Sequence, residues 1–321
     1  MTQNPTILED YLNYMETIKG ISPNTVKEYY FDLRMFLRFM KLRYKIVDPK
    51  ISFEEIDISD IDKDFIRKIS LQDLHAYISH VDKIRNNKSL AKSRKVASLR
   101  SFFDYMHTKI NIIDINPALQ LESPKSNSRL PVYLTLEQSN NLLDAALANK
   151  NEEYRSRDYA IITLFLNCGL RLSELSSINI DKIRDDDTLT VIGKGNKERT
   201  IFLNKACVDA INDYLKIRPK DSNDDKALFI NKQKSRLGNR GIQYMIDKYL
   251  KQIGLDTSIY STHKLRHTAA TLMYKYGNVD IRALQEILGH ESVATTQIYT
   301  HIDDTRLRDA VKSNPLSGRK K

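Results

Sequence analysis

Apolar residues recur every three or four positions along most of the chain, which is the spacing of helices that bury one face. Residues 6–19 carry the first such stripe and residues 23–40 the second. Ser22 and Pro23 supply a cap and a first turn, and so predict where the second helix starts. The stretch 44–68 has weak periodicity and predicts a loop with a short turn, before a helix near residues 71–81. The first stripe contains Ile7, Leu8, Tyr11, Leu12, Met15 and Ile18.

The segment SLAKSRKVASLRSFFDYMHTK predicts a helix with an apolar face and a basic face. Its apolar positions are Leu90, Ala97, Leu99, Phe102, Phe103 and Met106. Its basic positions are Lys92, Arg94, Lys95 and Arg100, with Lys88 directly before the segment. A basic face opposite a core face suits a helix that lies on DNA. We therefore take Lys88, Lys92, Arg94 and Lys95 as candidate DNA contacts. Taken alone, the pattern slightly favours a merely solvated lysine face, so both interpretations stay open here.

A change in composition separates two predicted domains. Pro117, Pro124 and Pro131 surround a polar and basic run at residues 125–129. Prolines keep such a segment extended, so it predicts a linker. We place a helical domain at residues 1–125, the linker at 126–133 and a second domain at 134–321.

The second domain is predicted to be mainly helical, with a small antiparallel sheet. Residues 189–192 and 199–203 are rich in β-forming side chains and flank the glycine-rich, basic sequence GKGNKE, which predicts a hairpin. Lys194 at the tip can reach into a DNA groove, and Lys197 and Arg199 can contact phosphates. The G-x-G in this tip is not a nucleotide-binding fingerprint, because no third spaced glycine opens a helix.

Arg171 lies just after Gly169, where the helix predicted at residues 154–167 comes to its end. It begins another helix, and the free amides of a helix N-terminus favour a phosphate. For Arg171 alone, an exposed arginine paired with Glu174 or Asp158 is the simpler interpretation. The segment near the C-terminus makes a catalytic role the favoured one.

His263 and Arg266 lie three residues apart in an amphipathic helix that Thr262 is predicted to cap, so both side chains project from one face. A planar guanidinium donates two parallel hydrogen bonds to phosphate oxygens and stays charged as negative charge develops. The apolar side of this helix contains Leu265, Ala269, Leu272 and Met273.

His290 follows a second helix, predicted at residues 280–288, that ends at Gly289. The chain is predicted to restart a helix near Ser292, and this break allows His290 and Tyr299 to share one pocket. A tyrosine that attacks a phosphodiester needs guanidinium groups to hold the phosphate oxygens and imidazoles to move protons. The segment supplies both.

Charge and cysteine content limit the classes of function. The 321 residues include 51 Lys and Arg against 41 Asp and Glu, so the net charge of +10 favours a nucleic acid partner. Cys168 and Cys207 lack zinc-site spacing, and His263 with His267 lacks a third ligand, so we expect no metal and take His267 as a packing residue. No apolar run approaches the ~20 residues of a membrane span, and no signal peptide is evident. We expect a reduced, cytoplasmic protein.

Six residues in order resemble the tyrosine recombinases of the phage integrase family, and within them the Xer type. They are Arg171 in CGLRLSEL, Lys194 in VIGKGNKER, His263 and Arg266 in HKLRH, His290 in LGH, and Tyr299 in TTQIYTH. The joint occurrence of the six is far more specific than any one motif. The resemblance extends over essentially residues 1–312.

The resemblance implies a helical SAM-like core-binding domain, followed by an α-rich catalytic domain of the DNA breaking-rejoining fold. It implies that Tyr299 attacks the scissile phosphate and leaves a 3′-phosphotyrosine, without ATP, metal or other cofactor. Arg171, Arg266 and His290 would stabilise the pentavalent phosphorus, His263 would act as acid or base on the tyrosyl oxygen, and Lys194 would protonate the departing 5′-oxygen. Glu174 would support the site.

The implied function is site-specific recombination through a Holliday junction, for chromosome dimer resolution. The alternative is integration or excision of a mobile element; more remote ones are a type IB topoisomerase and an inactive DNA-binding protein. Integrases of mobile elements frequently carry an additional N-terminal arm-binding domain, and the start of this chain close to its first predicted helix favours the Xer type.

The implied partners are a double-stranded recombination site, a homo-tetramer on two synapsed sites or a tetramer shared with a paralogous recombinase, and an activating septal DNA translocase. A helix at about residues 304–312 is expected to dock into a neighbouring subunit. The protein is expected at the nucleoid and not at a membrane.

Overall fold

The computed structural model describes residues 4–83, 89–123, 131–193, 198–277, 279–290 and 292–302. The chain divides into two compact units, residues 1–128 and 129–321. The division falls inside the segment 126–133 that the prolines predict as a linker. In the described parts, no helix combines the length and apolarity needed to cross a bilayer.

The first unit is all-helical, as predicted. Its helices are α1 (Thr6–Asn13), α2 (Pro23–Arg43), α3 (Lys63–Arg67), α4 (Leu71–Lys83) and α5 (Ser89–Thr108), with a π-helical turn at Tyr14–Ile18 and a 3₁₀ turn at Phe53–Glu55. The Ser22 hydroxyl accepts a hydrogen bond from the Thr25 amide, which confirms the predicted cap of α2. The core lies between the apolar faces of these helices and includes Leu8, Phe36, Tyr77, Phe102 and Phe103.

Three details of the first unit differ from the sequence prediction. The π-helical turn after α1 rotates the end of the first stripe, and Ile18 is 73% exposed. In α5, Val96 is buried and Ala97 is exposed, while Leu99, Phe102, Phe103 and Met106 are buried as predicted. The stretch 44–68 is packed rather than loose, because two buried cations of α2 hold it. Arg38 donates to the Ile56 carbonyl at 3.1 Å and Lys41 to the Asp57 carbonyl at 2.9 Å.

The second unit is mainly helical with one two-stranded antiparallel sheet, which confirms the predicted fold class. Its elements are α6 (Leu136–Leu147), α7 (Glu152–Cys168), α8 (Leu172–Ser176), β1 (Thr188–Ile192), β2 (Glu198–Phe202), α9 (Lys205–Ile217), α10 (Asn239–Gln252), α11 (Thr262–Tyr276), α12 (Ile281–Leu288) and α13 (Val293–Thr296), with 3₁₀ turns at Ile180–Lys182 and Gln297–Ile302. Leu189 pairs with Ile201 in the hairpin.

Helix α7 is the centre of the second unit, since it packs against α6, α9 and α11. Its middle turns are buried on nearly every side, as the continuous apolar run in the sequence predicts. The helix ends at Gly169, whose φ of 60° is left-handed. Helix α11 starts after Ser261, so Thr262 is its first residue and not its cap as predicted. These ends of α7 and α11 position the residues described next.

Candidate active site

Glu174 is the centre of a cluster of charged groups at the start of α8. Its side chain is 0% exposed. One of its carboxylate oxygens accepts from Arg171 Nη1 at 2.6 Å, and the other accepts from the Arg171 amide at 2.7 Å. Arg199, on β2, donates to both oxygens, from Nε at 3.2 Å and from Nη2 at 2.8 Å. A single buried carboxylate therefore fixes two arginines from different elements.

The charge of this cluster is unbalanced. Burial by itself raises the pKa of Glu174, but the hydrogen bonds and charge of Arg199, with the hydrogen bonds of Arg171, outweigh it and hold the pKa below its ordinary value. Arg266 Nη1 lies 3.8 Å from the same carboxylate. Three guanidinium groups thus share one negative charge, which leaves a net positive site suited to an anion.

Backbone carbonyls at the ends of α7 and α12 fix the orientation of Arg171 and Arg266. Arg266 donates to the Gly169 carbonyl at 2.7 Å and to the Leu288 carbonyl at 2.6 Å, and Arg171 donates to the Gly289 carbonyl at 2.7 Å. Gly169 ends α7 and Gly289 ends α12, with φ values of 60° and 62°. Carbonyls at a helix C-terminus carry partial negative charge and so attract cations. The guanidinium groups are therefore held in place without DNA.

Burial lowers the pKa of Arg266 to about 10, with a further contribution from the nearby charge of Arg171. This value is still well above neutral, so Arg266 remains a cation at pH 7. A buried cation that keeps its charge is worth more to a phosphate than one in water, because the local dielectric is low.

A cleft of about 540 Å³ opens beside these arginines. It is lined by Leu170, Arg171, Leu172, Ser173, Asn239, Gln243, Thr262, His263, Arg266, His290 and Thr295. The cleft is therefore shared by four of the predicted site residues, Arg171, His263, Arg266 and His290. A phosphodiester in this cleft would meet two guanidinium groups and two imidazoles.

Both imidazoles that line the cleft are neutral at pH 7. Burial and then the charge of Arg266 lower the pKa of His290 to about 4, and its Nδ1 lies 2.9 Å from the Thr296 hydroxyl. His263 is exposed at the cleft, yet partial desolvation and the positive charges of Lys264, Arg266 and Arg171 lower its pKa also. A neutral imidazole can donate a hydrogen bond to a phosphate from one ring nitrogen and accept a hydrogen bond or a proton at the other.

Tyr299 lies in the 3₁₀ turn after α13 and is only 1% exposed. Its ring packs with Ala270, Leu284 and Leu288, which are apolar residues of α11 and α12. Its hydroxyl lies 2.7 Å from His267 Nδ1. Burial raises the pKa of Tyr299 to about 12, although the charge of Arg266 opposes the shift. The phenol is therefore protonated at neutral pH.

The contact between His267 and Tyr299 is a feature of this site that the sequence analysis does not predict. The spacing of four between His263 and His267 suggests only a metal motif, and a packing role is expected. Among the described residues, no group of three or more His, Cys, Asp or Glu is positioned to hold a metal ion. The helical spacing itself is the usable signal, because residues four apart share a helix face.

Comparison with known proteins identifies the family. Residues 132–306 match the phage integrase family, and residues 8–109 match the N-terminal SAM-like domain of phage integrases. The chain belongs to the phage integrase family. Like the recombinases of this family, it is an enzyme that binds DNA recombination sites and cuts and rejoins the strands.

Two curated proteins that are similar to this integrase-family chain are both named tyrosine recombinase XerC. It is 57% identical over 314 residues to the tyrosine recombinase XerC of Caldanaerobacter subterraneus subsp. tengcongensis, which covers 98% of this chain and 88% of the relative. It is 34% identical over 326 residues to the tyrosine recombinase XerC of Thermodesulfovibrio yellowstonii, covering 99% of each chain.

Solved structures of other recombinases show the same fold. The post-cleavage complex of the XerH site-specific recombinase with its palindromic difH substrate gives a TM-score of 0.72 at 21% identity, covering 95% of this chain and 83% of that one. The Tn1549 transposon integrase in complex with transposon right end DNA gives a TM-score of 0.73 at 18% identity, covering 95% of this chain and 98% of that one.

The predicted residues of this integrase-family site fall into three groups. Arg171, His263, Arg266 and His290 line the cleft, and Tyr299 lies behind them against His267. Lys88, Lys194, Lys197 and the predicted helix at 304–312 lie outside the described residues. The remaining predicted DNA contacts are partly or wholly engaged within the protein.

Two predicted DNA contacts are corrected. The Lys95 side chain is only 4% exposed, and its ammonium pairs with buried Asp32 of α2, so it belongs to the core of the first unit. Arg199 is largely buried against Glu174 and also donates to the Ile287 carbonyl, so it supports the site instead of facing DNA. Both were predicted from charge alone, which does not show on which side of an element a partner lies.

The other two predicted DNA contacts in α5, Lys92 and Arg94, are paired within the protein but partly exposed. Lys92 donates to Asp82 at 2.5 Å, and Arg94 pairs with Glu28 and with Asp32, the latter at 3.1 Å. Asp82 and Glu28 are themselves exposed, so these pairs are weak and can exchange for phosphates. The basic face of α5 is thus narrower than the sequence predicts.

Proposed function

We propose that this chain is a Xer-type recombinase that resolves chromosome dimers at a site on its own chromosome, through a 3′-phosphotyrosine and a Holliday junction. The observation that carries the proposal is the cleft itself. Arg171 and Arg266 are fixed by Glu174 and by helix-end carbonyls, and His263 and His290 face the same space beside buried Tyr299. This arrangement suits transfer of a phosphoryl group to a tyrosine.

The proposed reaction is a transesterification. The Tyr299 oxygen loses its proton and bonds to the scissile phosphorus, and the bond from phosphorus to the 5′-oxygen breaks. Arg171, Arg266 and His290 stabilise the charge that gathers on the phosphate oxygens, and His263 exchanges the proton of the tyrosyl oxygen. Lys194 supplies the proton that leaves with the 5′-hydroxyl. The energy of the broken bond is kept in the phosphotyrosine link, so religation is the same step reversed.

The fixed orientation of Arg171 and Arg266 is proposed to contribute to catalysis by positioning their guanidinium groups before the phosphate binds. A ready-made pair of guanidinium groups does not have to reorganise when the transition state forms, and this is the largest single contribution in many such sites. Arg266 cannot be replaced by lysine without loss, because it donates from separate nitrogens to Gly169 and to Leu288 at the same time.

The proposed assembly is a tetramer on two synapsed sites, formed by this chain alone or shared with a paralogous recombinase, and activated by a septal DNA translocase at the nucleoid. The predicted helix at 304–312 docks into a neighbouring subunit. Deletion of residues 304–321 should leave DNA binding intact in a mobility-shift assay and abolish strand exchange. Unchanged recombination by the truncated protein would reject this role.

DNA contacts outside the cleft are proposed for Lys88, Lys92, Arg94 and Lys197. Each of these side chains would neutralise a backbone phosphate, so removing its charge should reduce the slope of log affinity against log salt by about 0.9. Substituting Lys92 and Arg94 together by glutamine should therefore weaken binding to all sequences alike.

The test of function is a suicide substrate, a nicked duplex that traps the covalent intermediate. Labelled duplexes carrying the dimer-resolution site of the same chromosome are compared with duplexes carrying the ends of a neighbouring mobile element. A denaturation-resistant adduct on the chromosomal site supports the proposal. An adduct only on element ends would make the chain an integrase or excisionase of that element, and no adduct on either would indicate a non-catalytic DNA-binding protein.

Two variants define the nucleophile in this assay. Tyr299→Phe should abolish the adduct, and Tyr276→Phe, a control substitution at the exposed end of α11, should not. An adduct formed by Tyr299→Phe would overturn the assignment of Tyr299.

A further inference from the structure

Tyr299 is held away from the cleft that its proposed chemistry requires. It is not among the residues that line the cleft, and almost none of its surface reaches solvent. Its hydroxyl points to His267 Nδ1 at 2.7 Å, and its ring is tilted against the His267 ring with centroids 5.8 Å apart. A buried phenol that is hydrogen-bonded to His267 has to leave this contact before its oxygen can attack a phosphate in the cleft.

We propose that His267 is a positioning residue that holds Tyr299 in a buried resting position in the DNA-free protein, and that this hydrogen bond breaks before the tyrosine attacks DNA. The inference rests on the proposed role of Tyr299 as nucleophile. It gives His267 a role in the timing of cleavage that differs from the phosphate contacts of the cleft residues.

The protonation states support this role. Burial, and then the neighbouring His263, Lys264 and Arg266, lower the pKa of His267 to about 4, so its imidazole is neutral at pH 7. A neutral Nδ1 can accept the proton of the phenol, and the two neutral partners then satisfy each other in a site with little access to water. Burial raises the pKa of Tyr299 to about 12, so the hydroxyl stays a donor there.

The segment that carries Tyr299 is suited to movement. Helix α13 has four residues, and the following 3₁₀ turn packs against α13 and α11. Short elements with few partners open at a lower free energy than long buried helices. The hydrogen bond of Tyr299 to His267 on α11 therefore adds to the apolar packing that keeps this segment closed.

His263 connects the resting contact to the cleft. Its ring packs edge-on against His267, with centroids 4.6 Å apart and an interplanar angle of 79°, while His263 itself lines the cleft. A phosphate that draws His263 towards the arginines would remove one wall of the place where His267 receives the phenol. DNA binding and release of Tyr299 would then be linked through two residues of one helix face.

The test compares His267→Leu, which cannot accept a hydrogen bond, with His267→Asn, whose amide oxygen can occupy the place of Nδ1. Single-turnover cleavage of the nicked suicide substrate is measured at saturating protein. His267→Leu should cleave about 2–10-fold faster than the parent, the factor equivalent to one buried hydrogen bond, and His267→Asn should stay close to the parent rate. Slower cleavage by His267→Leu, with DNA affinity unchanged, would overturn the proposal and make His267 an aid to proton removal.

A second measurement needs neither DNA nor cleavage. Tyrosines of the DNA-free protein are nitrated with tetranitromethane, and the extent at each position is read by peptide mass spectrometry. His267→Leu should raise nitration of Tyr299 by a similar factor relative to exposed Tyr276, and His267→Asn should not. Equal nitration of Tyr299 in the parent and in His267→Leu would reject the resting contact.

The two outcomes separate this inference from the proposed function. An adduct formed by Tyr299→Phe would remove the nucleophile assignment, whatever the nitration result. A normal adduct that needs Tyr299, together with unchanged nitration in His267→Leu, would reject only the role of His267. A global loss of fold would show as increased nitration at buried Tyr214 and Tyr249 as well, so it can be recognised in the same spectra.

Discussion

Glu174→Gln tests whether one buried carboxylate holds the cluster of arginines together. The substitution keeps the size and shape of the side chain and removes its charge. Four hydrogen bonds from Arg171 and Arg199 end on this carboxylate, and Arg266 lies 3.8 Å from it. A glutamine would offer one acceptor oxygen, and its amide nitrogen would face a guanidinium donor.

The magnitude follows from burial. Removing one partner of a buried ion pair leaves an uncompensated charge and costs about 3–5 kcal/mol. Since a domain of this size has a total stability of about 5–15 kcal/mol, the loss is a large fraction of it. At about 2–4 °C per kcal/mol, the unfolding temperature of the second unit should fall by about 6–20 °C.

The assay is differential scanning calorimetry, because the chain has no Trp and the two units can unfold as separate transitions. Glu198→Gln is the matched control, since Glu198 is exposed on the neighbouring strand β2. The control should leave both transitions in place. If Glu174→Gln unfolds within about 1–2 °C of the control, a difference of under about 1 kcal/mol, the carboxylate does not hold the arginines in solution.

The pH dependence gives an independent check on Glu174. Its pKa is lowered in the folded protein, so the stability it contributes is present above the ordinary glutamate pKa and is lost as the pH falls through the lowered value. The parent protein should therefore lose more of its unfolding temperature in acid than Glu174→Gln does. Parallel acid profiles for the two proteins would contradict the lowered pKa.

Three further predictions concern the same site. Arg266→Lys should lower the rate of covalent cleavage about 10²–10³-fold in the suicide-substrate assay while DNA binding in a mobility shift is kept, and equal rates would show that the fork is not needed. Gly169→Ala should destabilise the protein by about 2–5 kcal/mol in calorimetry, because φ at this position is 60° and a Cβ would meet a leucine methyl at 2.8 Å. Gly20→Ala, with φ of 62° and open space around it, should cost only about 1–2 kcal/mol. Equal losses of stability in the two variants would exclude the steric contribution. The pKa of His290 is lowered from 6.5 to about 4, so its contribution to stability is complete above pH 6.5 and lost towards pH 4. His290→Asn should therefore flatten the fall in unfolding temperature across that range, and the control His75→Asn, at an exposed histidine, should not. Identical pH profiles for the parent and His290→Asn would refute the lowered pKa of His290.

The parts of the fold that could be predicted from the sequence are those determined by neighbouring residues. Ser22 caps the second helix of the pattern, and Gly169 and Gly289 end helices in the left-handed conformation. The burial of Lys95 could not be predicted in this way. Its partner Asp32 lies 63 residues earlier in α2, and the spacing of basic residues within α5 contains no information about it.

The site shows the same limit. The resemblance predicts Arg171, Arg266 and Tyr299 as a set, but it does not predict the contacts that hold these side chains in their orientations. Two of the carbonyls that hold the arginines, those of Gly169 and Gly289, lie 97 and 118 residues away in sequence from Arg266 and Arg171. The left-handed glycines that present these carbonyls were visible as helix terminators, so their positions were predicted and their use as guanidinium acceptors was not.

Charge balance could have assigned a larger role to Glu174. Two or more arginines that converge on one phosphate repel each other when the phosphate is absent, and a buried cluster of like charges needs a counter-charge to fold. Glu174 follows Arg171 by three residues on the same short helix, which places their side chains on one face. A carboxylate at that spacing can supply this counter-charge to an arginine that is proposed to bind the phosphate. Its replacement by a neutral residue should therefore lower the stability first and the rate of cleavage only as a consequence.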